Sequence, residues 1–267
     1  MKMLFIGAGK MASAIAGGLV RKQVMTPDEL WAVDVYPSAR QAFTKATGVH
    51  CAEAAEPLLR QSDVIVLAVK PQVAESVLQP LAHLLRGRLV ISICAGLKLH
   101  RLALWCGHDR IVRVMPNTPL MVGLGASVFC CAAGVTEDDK ALCAKIFGTL
   151  STVSVLPEDA MDAVTALSGS GPAYVFEMIQ GLVDAGVAAG LPADTALELT
   201  VQTVAGAAEM LRQKLGTPDD LRTAVTSPGG TTAAGLAEFG KADFRGLLRR
   251  VILAARDRSV ELGRGGK

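Results

Sequence analysis

Aromatic residues are scarce: phenylalanine, tryptophan and tyrosine make up 4% of the 267 residues. Proteins that bind single-stranded nucleic acid stack bases on aromatic side chains, so that class has no support here. Charge is equally thin. With 27 Lys and Arg against 25 Asp and Glu the net charge is +2, too little to draw the chain to nucleic acid or to a membrane surface. The six cysteines (51, 94, 106, 130, 131 and 143) form no C-x-x-C pair and no metal-ligand spacing. Most lie in apolar runs, which predicts reduced core thiols and no metal. Long apolar spans are missing too. The longest uncharged stretch, Val114 to Thr136, contains Pro116, Pro119, Gly123 and Gly125, which exclude a continuous spanning helix. The apolar start is interrupted at Lys10, too early for a secretory signal. The expectation is a soluble cytoplasmic protein without nucleic-acid or membrane partners.

What is abundant is apolar residues, 51% of the chain, enough for two cores and a buried subunit interface. The most informative stretch is Leu4 to Ala14, Leu-Phe-Ile-Gly-Ala-Gly-Lys-Met-Ala-Ser-Ala. A short apolar run breaks at Gly7, and from Met11 the spacing turns helical, which predicts a strand, a glycine turn and a helix. Gly7 allows the sharp turn, Gly9 lets a pyrophosphate approach the backbone, and Ala12 lets the helix pack close on the strand. The amides at the helix start would face the phosphate. A second run, Leu30 to Val33, ends at Asp34, about 20 residues past the glycines, where a ribose-binding acid would sit.

Further buried-strand runs follow at Asp63–Val69, Leu89–Cys94 and Ile111–Met115, spaced by helix-length segments as in a parallel sheet covered on both faces. Lys70, Ala95, Gly96 and Asn117 each follow a strand end and so line the expected ligand crevice. Ala126–Cys131 reads as a further strand, Glu137–Leu150 as a helix and Thr152–Val155 as an edge strand. Pro157 marks the boundary. We therefore expect an α/β Rossmann domain, a mostly parallel doubly wound sheet, over residues 1–156. An all-α domain over 157–267 would bind substrate and dimerise. Helices are expected at Glu158–Leu167, in two longer runs opened by first-turn prolines Pro172 and Pro192 and ending near Gly190 and Gly216, and over Asp219–Val225, Thr232–Phe239 and Asp243–Leu262. The middle ones, apolar nearly all round, call for burial against a second copy unless they close into a bundle of their own.

Two stretches in this half exceed what packing needs. Ser168-Gly-Ser170-Gly-Pro-Ala-Tyr174 and Ser227-Pro-Gly-Gly-Thr-Thr232 each place small residues before a helix. Such starts serve simple capping, or hold a carboxylate on free amides without a basic side chain. All four histidines lie in the first half, and neither motif carries Lys, His or Cys. That chemistry suits a substrate needing little proton management, such as an imine already protonated in water, held by its carboxylate and oriented for a hydride.

Taken together, Gly7-Ala-Gly-Lys-Met-Ala12, Ala68-Val-Lys-Pro71, Ala95-Gly96, Met115-Pro-Asn-Thr-Pro119 and the two small-residue motifs resemble the pyrroline-5-carboxylate reductase family from about residue 3 to 262. The resemblance implies reduction of L-1-pyrroline-5-carboxylate to L-proline with NADPH or NADH, the last step of proline biosynthesis. It also implies a homodimer, assembled in some members into a ring. Carried over, Thr232 is the catalytic hydroxyl facing the ring nitrogen. Ser227, Gly229, Gly230, Thr231 and Thr232, with Ser168 and Ser170, bind substrate. Ile6, Gly7, Ala8, Gly9, Lys10, Met11, Ala68, Val69, Lys70, Pro71, Cys94, Ala95, Gly96 and Asn117 bind the cofactor, with Asp34 and Arg40 at its adenosine end.

Asp34 departs from a phosphate-accepting pattern and favours the free ribose hydroxyls of NADH. Ending the strand two residues later would instead bring Ser38 and Arg40 to the site and favour NADPH. Both readings stay open. Two rivals are a non-catalytic dinucleotide sensor and a hydroxyacid dehydrogenase of the same two-domain plan. The latter group uses a catalytic lysine on the interdomain helix, and here no lysine occurs between Lys145 and Lys214.

Overall fold

The structure, a computed structural model, describes residues 1–263. Its sheet contains β1 (Met3–Ile6), β2 (Leu30–Val33), β3 (His50–Ala52), β4 (Val64–Leu67), β5 (Leu89–Ser92), β6 (Ile111–Met115), β7 (Gly125–Cys131) and β8 (Ser151–Val155). The strand order is β3-β2-β1-β4-β5-β6-β7-β8. All neighbours pair in parallel except β6 with β7. The helices are α1 (Lys10–Arg21), α2 (Pro37–Thr47), α3 (Glu56–Leu59), α4 (Ala74–Leu85), α5 (Leu99–Cys106), α6 (Glu137–Gly148), α7 (Met161–Val164), α8 (Gly171–Ala188), α9 (Ala193–Arg212), α10 (Pro218–Ala224), α11 (Thr231–Lys241) and α12 (Phe244–Gly263).

Strands β1 and β4, at the centre of the sheet, are apolar at every position because both faces are covered. Met3 and Phe5 join one core with Ile15, Leu19, Phe43 and Phe147, whereas Leu4 and Ile6 join the other with Leu78, Leu102 and Trp105. Alternate residues of β1 thus feed opposite layers, as the two-residue period of a strand requires. The expected α/β Rossmann sheet is present, with two corrections. His50–Ala52, too short and polar to register as a strand, adds β3 at one edge. The runs Asp63–Val69 and Leu89–Cys94 are strand only over Val64–Leu67 and Leu89–Ser92, and their last residues form the crevice loops.

By contacts the chain divides into two compact units, Met1–Ser170 with the segment from Ala254 on, and Gly171–Leu253. The first unit carries a buried charge on β6. Arg113, 4% exposed at its side chain, pairs with Glu158 at 3.3 Å and Asp162 at 4.0 Å. Glu158 also accepts from the Leu99 amide at 2.6 Å, and Asp162 from the Ser259 hydroxyl at 2.7 Å. One cation therefore ties the sheet to α5, α7 and the end of α12. Because removing one partner of a buried pair strands the other, Arg113→Leu should cost about 3–5 kcal/mol. A thermal scan should show Tm falling by several degrees, and an unchanged Tm would refute the role.

The segment expected as one helix over Glu158–Leu167 is instead a 3₁₀ turn (Glu158–Ala160), α7 and a π-turn (Thr165–Gly169). In the second unit, α8, α10 and α11 bury no residue and α9 buries only Ala196. Phe176, Met178, Leu182, Leu199 and Val201 stand 42–65% exposed. Gly186 lets α8 pass α9, since a Cβ there would lie 3.2 Å from the Ala196 side chain. This small-sided pair leaves its larger apolar residues outward, on faces that only another apolar surface satisfies. Pro192 is the N-cap of α9 rather than a first-turn residue. No helix among the described residues is long and apolar enough to cross a membrane.

Candidate functional site

The carboxyl ends of β1 and β4 meet where the chain, having run outward through β2 and β3, returns to build the other half of the sheet. Such a switch point is where an open α/β sheet leaves a crevice. Gly7 stands at its centre with φ +101°, and a Cβ there would lie 2.6 Å from the Ala68 carbonyl oxygen. The turn is thus possible only with glycine. Gly9 is different. Its backbone is extended (φ −75°, ψ −177°) and a Cβ would meet no protein atom within 4 Å. Nothing in the fold requires glycine there, so the space it leaves is available to a ligand. Gly9 caps α1 without a side-chain hydrogen bond, and the first-turn amides of a helix have no acceptor within it. Open space, free amides and the dipole of a helix with no first-turn acid fit a pyrophosphate.

The other predicted cofactor residues gather at the same edge. Ile6 and Ala8 are buried under the turn, and Lys10 and Met11 open α1. Ala68 and Val69 are half-buried beside Gly7, while Lys70 is exposed ahead of Pro71. After β5, the Cys94 thiol donates to the Val69 carbonyl at 3.2 Å, joining two crevice loops, and Gly96 turns with φ +77°. Burial pushes the Cys94 thiol up to about 11, so it stays protonated and unreactive at neutral pH. Iodoacetamide should leave Cys94 unmodified in the native protein, as read by mass spectrometry; rapid alkylation at neutral pH would refute this. Asn117, after β6, spends its Oδ1 on the Ala126 amide at 2.8 Å, which fixes the start of β7.

Asp34 is the first residue past β2, and its carboxylate accepts from the Ala8 amide at 2.9 Å. The register Ile6 to Val33 removes the alternative in which the strand runs two residues further. Arg40 is turned back onto the carbonyls of Asp34 and Val35 and onto Glu53.

Ser168 and Ser170 require a correction. They stand directly before α8 at Gly171, as expected, but on backbone already wound and partnered: the Ser168 hydroxyl donates to the Val164 carbonyl at 3.1 Å, and the Ser170 amide donates to Thr165 at 2.8 Å. The backbone is already helical, wound as a π-turn, a feature frequent at functional sites. Gly169 lies over Met115 at the carboxyl end of β6, where an added Cβ would displace the tip of the Met115 side chain. The turn therefore flanks the crevice. Sequence reasoning missed this because π-winding has no compositional signature, although Ser-Gly-Ser-Gly marks an irregularity.

In the second unit, Ser227 to Thr232 does form a turn and a helix start. Gly229 is left-handed (φ +70°), and a Cβ on Gly230 would collide with the Ser227 hydroxyl. The Gly230 amide, expected to be free, donates to the Ser227 carbonyl at 3.1 Å. Thr231 and Thr232 follow as the first residues of α11, both exposed, and their amides and hydroxyls have no partner among the described residues. Two free amides, two free hydroxyls and the Ser227 side chain converge on one helix start without any titrating group. Such a set holds a carboxylate and moves no proton by itself.

The comparisons with known proteins agree with this geometry. Residues 158–262 match a family model described as pyrroline-5-carboxylate reductase dimerisation. Residues 2–96 match one described as NADP oxidoreductase coenzyme F420-dependent. The chain is 46% identical to a pyrroline-5-carboxylate reductase of Glycine max, over 97% of this chain and 94% of that one. It is 45% identical to that of Arabidopsis thaliana, over 98% and 95%. A crystal structure of Plasmodium falciparum pyrroline carboxylate reductase with NADP bound is 35% identical, covers 98% of both chains and superposes with TM-score 0.91. Identity of this level over nearly the whole length places the chain in the pyrroline-5-carboxylate reductase family.

Proposed function

We propose that this protein reduces L-1-pyrroline-5-carboxylate to L-proline, the last step of proline biosynthesis, with NADP(H) or NAD(H) as cofactor. The observation that carries the reading is the similarity to reductases of that name over nearly the full chain. The cofactor supplies, when bound, a hydride from its dihydronicotinamide. The amides from Gly9 to Met11 and the space over Gly9 hold the pyrophosphate. Loops Ala68–Pro71 and Cys94–Gly96, with Asn117, position the nicotinamide half. The substrate carboxylate is assigned to the amides of Thr231 and Thr232 and the Ser227 hydroxyl, and its ring nitrogen to the Thr232 hydroxyl.

The imine nitrogen takes its proton from water before binding, so no strong base is needed at the helix start. The hydride adds to the imine carbon, the C=N π pair moves onto nitrogen, and a secondary amine results. Through that change the Thr232 hydroxyl holds the nitrogen in line, and orientation supplies the rate. No metal enters the reading. A homodimer through the outward apolar faces of α8 and α9, alone or in a ring of dimers, and a cytoplasmic location complete the proposal.

Isotope transfer tests it. With nicotinamide deuterated at the transferring position of C4, the proline formed should carry one deuterium at the former imine carbon. Unlabelled proline, or none, would contradict the assignment.

A further inference from the structure

We propose that Asp34 makes this protein select NADH over NADPH; the inference rests on the dinucleotide assignment above and sharpens it. The Asp34 amide still donates to the Ala52 carbonyl at 3.1 Å, while its side chain has already left the sheet for the glycine turn. There the carboxylate is held from two sides, Oδ2 by the Ala8 amide and Oδ1 by the Tyr36 amide, each at 2.9 Å. These donors use two of the roughly four acceptor positions of a carboxylate. The remaining positions fit the adenosine ribose hydroxyls, which donate. A 2′-phosphate only accepts, and it would bring like charge against a fixed carboxylate.

Two groups nearby could reverse that preference, and each is accounted for. Arg40 places Nη1 2.8 Å from the Asp34 carbonyl and 3.1 Å from that of Val35, and Nη2 3.2 Å from Glu53. Three of its five N–H donors are thus taken, and swinging the guanidinium out to a phosphate would leave Glu53 unpaired. The other group is the N-terminus of α2, worth about half a positive charge. Asp34 carries a full negative charge next to it and occupies the Tyr36 amide, and Pro37 at the first helical position has no N–H to offer. Ser38 is exposed and uncharged. The local sum is negative, which admits a diol and disfavours a phosphate.

The test is the Kd of NADH and of NADPH for the full chain without imine, by calorimetry, repeated with ADP and 2′,5′-ADP as fragments lacking nicotinamide. NADH should bind tighter by about tenfold or more, the scale of a like-charge contact. ADP should likewise exceed 2′,5′-ADP. Asp34→Asn keeps the side chain's shape and an acceptor oxygen but removes the charge. It should strengthen NADPH binding while weakening NADH, a gain that a misfolded variant would not show. Equal or tighter binding of NADPH by the unaltered protein, with imine still reduced, would overturn the selectivity alone. An unchanged ratio in Asp34→Asn would overturn the role of Asp34. Failure of both dinucleotides to bind would overturn the assignment of the turn, and the selectivity with it.

Discussion

Gly9→Val should lose dinucleotide binding while keeping its fold and its self-association. The backbone at Gly9 is extended, a conformation valine adopts freely, and the added side chain would point into space that no protein atom occupies within 4 Å. Loss of glycine as N-cap costs less than about 1 kcal/mol. The pyrophosphate must use that same space, and overfilling a fitted contact costs about 1–3 kcal/mol or more, so Kd should rise by at least about tenfold to a hundredfold. Gly7→Val supplies the contrast. At φ +101°, with a Cβ only 2.6 Å from the Ala68 carbonyl oxygen, the strained turn itself should fail and the thermal midpoint should drop. Calorimetric titration and a thermal scan on both variants separate a glycine kept for the ligand from one kept for the chain. If Gly9→Val binds the dinucleotide normally, the phosphate turn is misplaced.

Thr232→Ala should reduce kcat by about tenfold to a hundredfold, the worth of one hydrogen bond to a group that changes charge. Dinucleotide affinity should hardly move, because the hydroxyl is assigned to the substrate nitrogen. Thr232 is exposed and its hydroxyl bonds to nothing among the described residues, so the fold loses little. Thr232→Ser retains the hydroxyl and should recover most of the rate, which separates a chemical contact from a packing one. Normal turnover in Thr232→Ala at saturating substrate, or a loss confined to cofactor binding, would contradict the assignment.

The sheet was legible because parallel strands covered on both faces must be apolar throughout, as Val64-Ile65-Val66-Leu67 is. His50–Ala52 was not, since an edge strand of three residues needs no such run. The glycine turn could be read from Gly7 and Gly9 alone, but their separate reasons could not. Only the backbone angles and the neighbouring Ala68 carbonyl show that one serves the turn and the other leaves room.

The position of Asp34 depended on where β2 stops, and composition says nothing about a two-residue shift; the pairing of Ile6 with Val33 decides it. The Ser168 motif misled because serine and glycine before a proline ordinarily signal a fresh start. Here the preceding carbonyls of Val164 and Thr165 are close enough to take the Ser168 hydroxyl and the Ser170 amide. In the second unit the composition of α8 and α9 already called for a covering surface, and the exposure of Phe176 and Leu199 shows which residues await it.

The most direct measurement of the central claim is the loss of nicotinamide absorbance with purified protein, NADH or NADPH, and pyrroline-5-carboxylate added last. Oxidation that starts only with the imine, yields proline in equal amount and runs faster with NADH is the predicted result. A folded protein that binds the dinucleotide yet oxidises neither cofactor in the presence of the imine would contradict the reductase and leave a dinucleotide sensor.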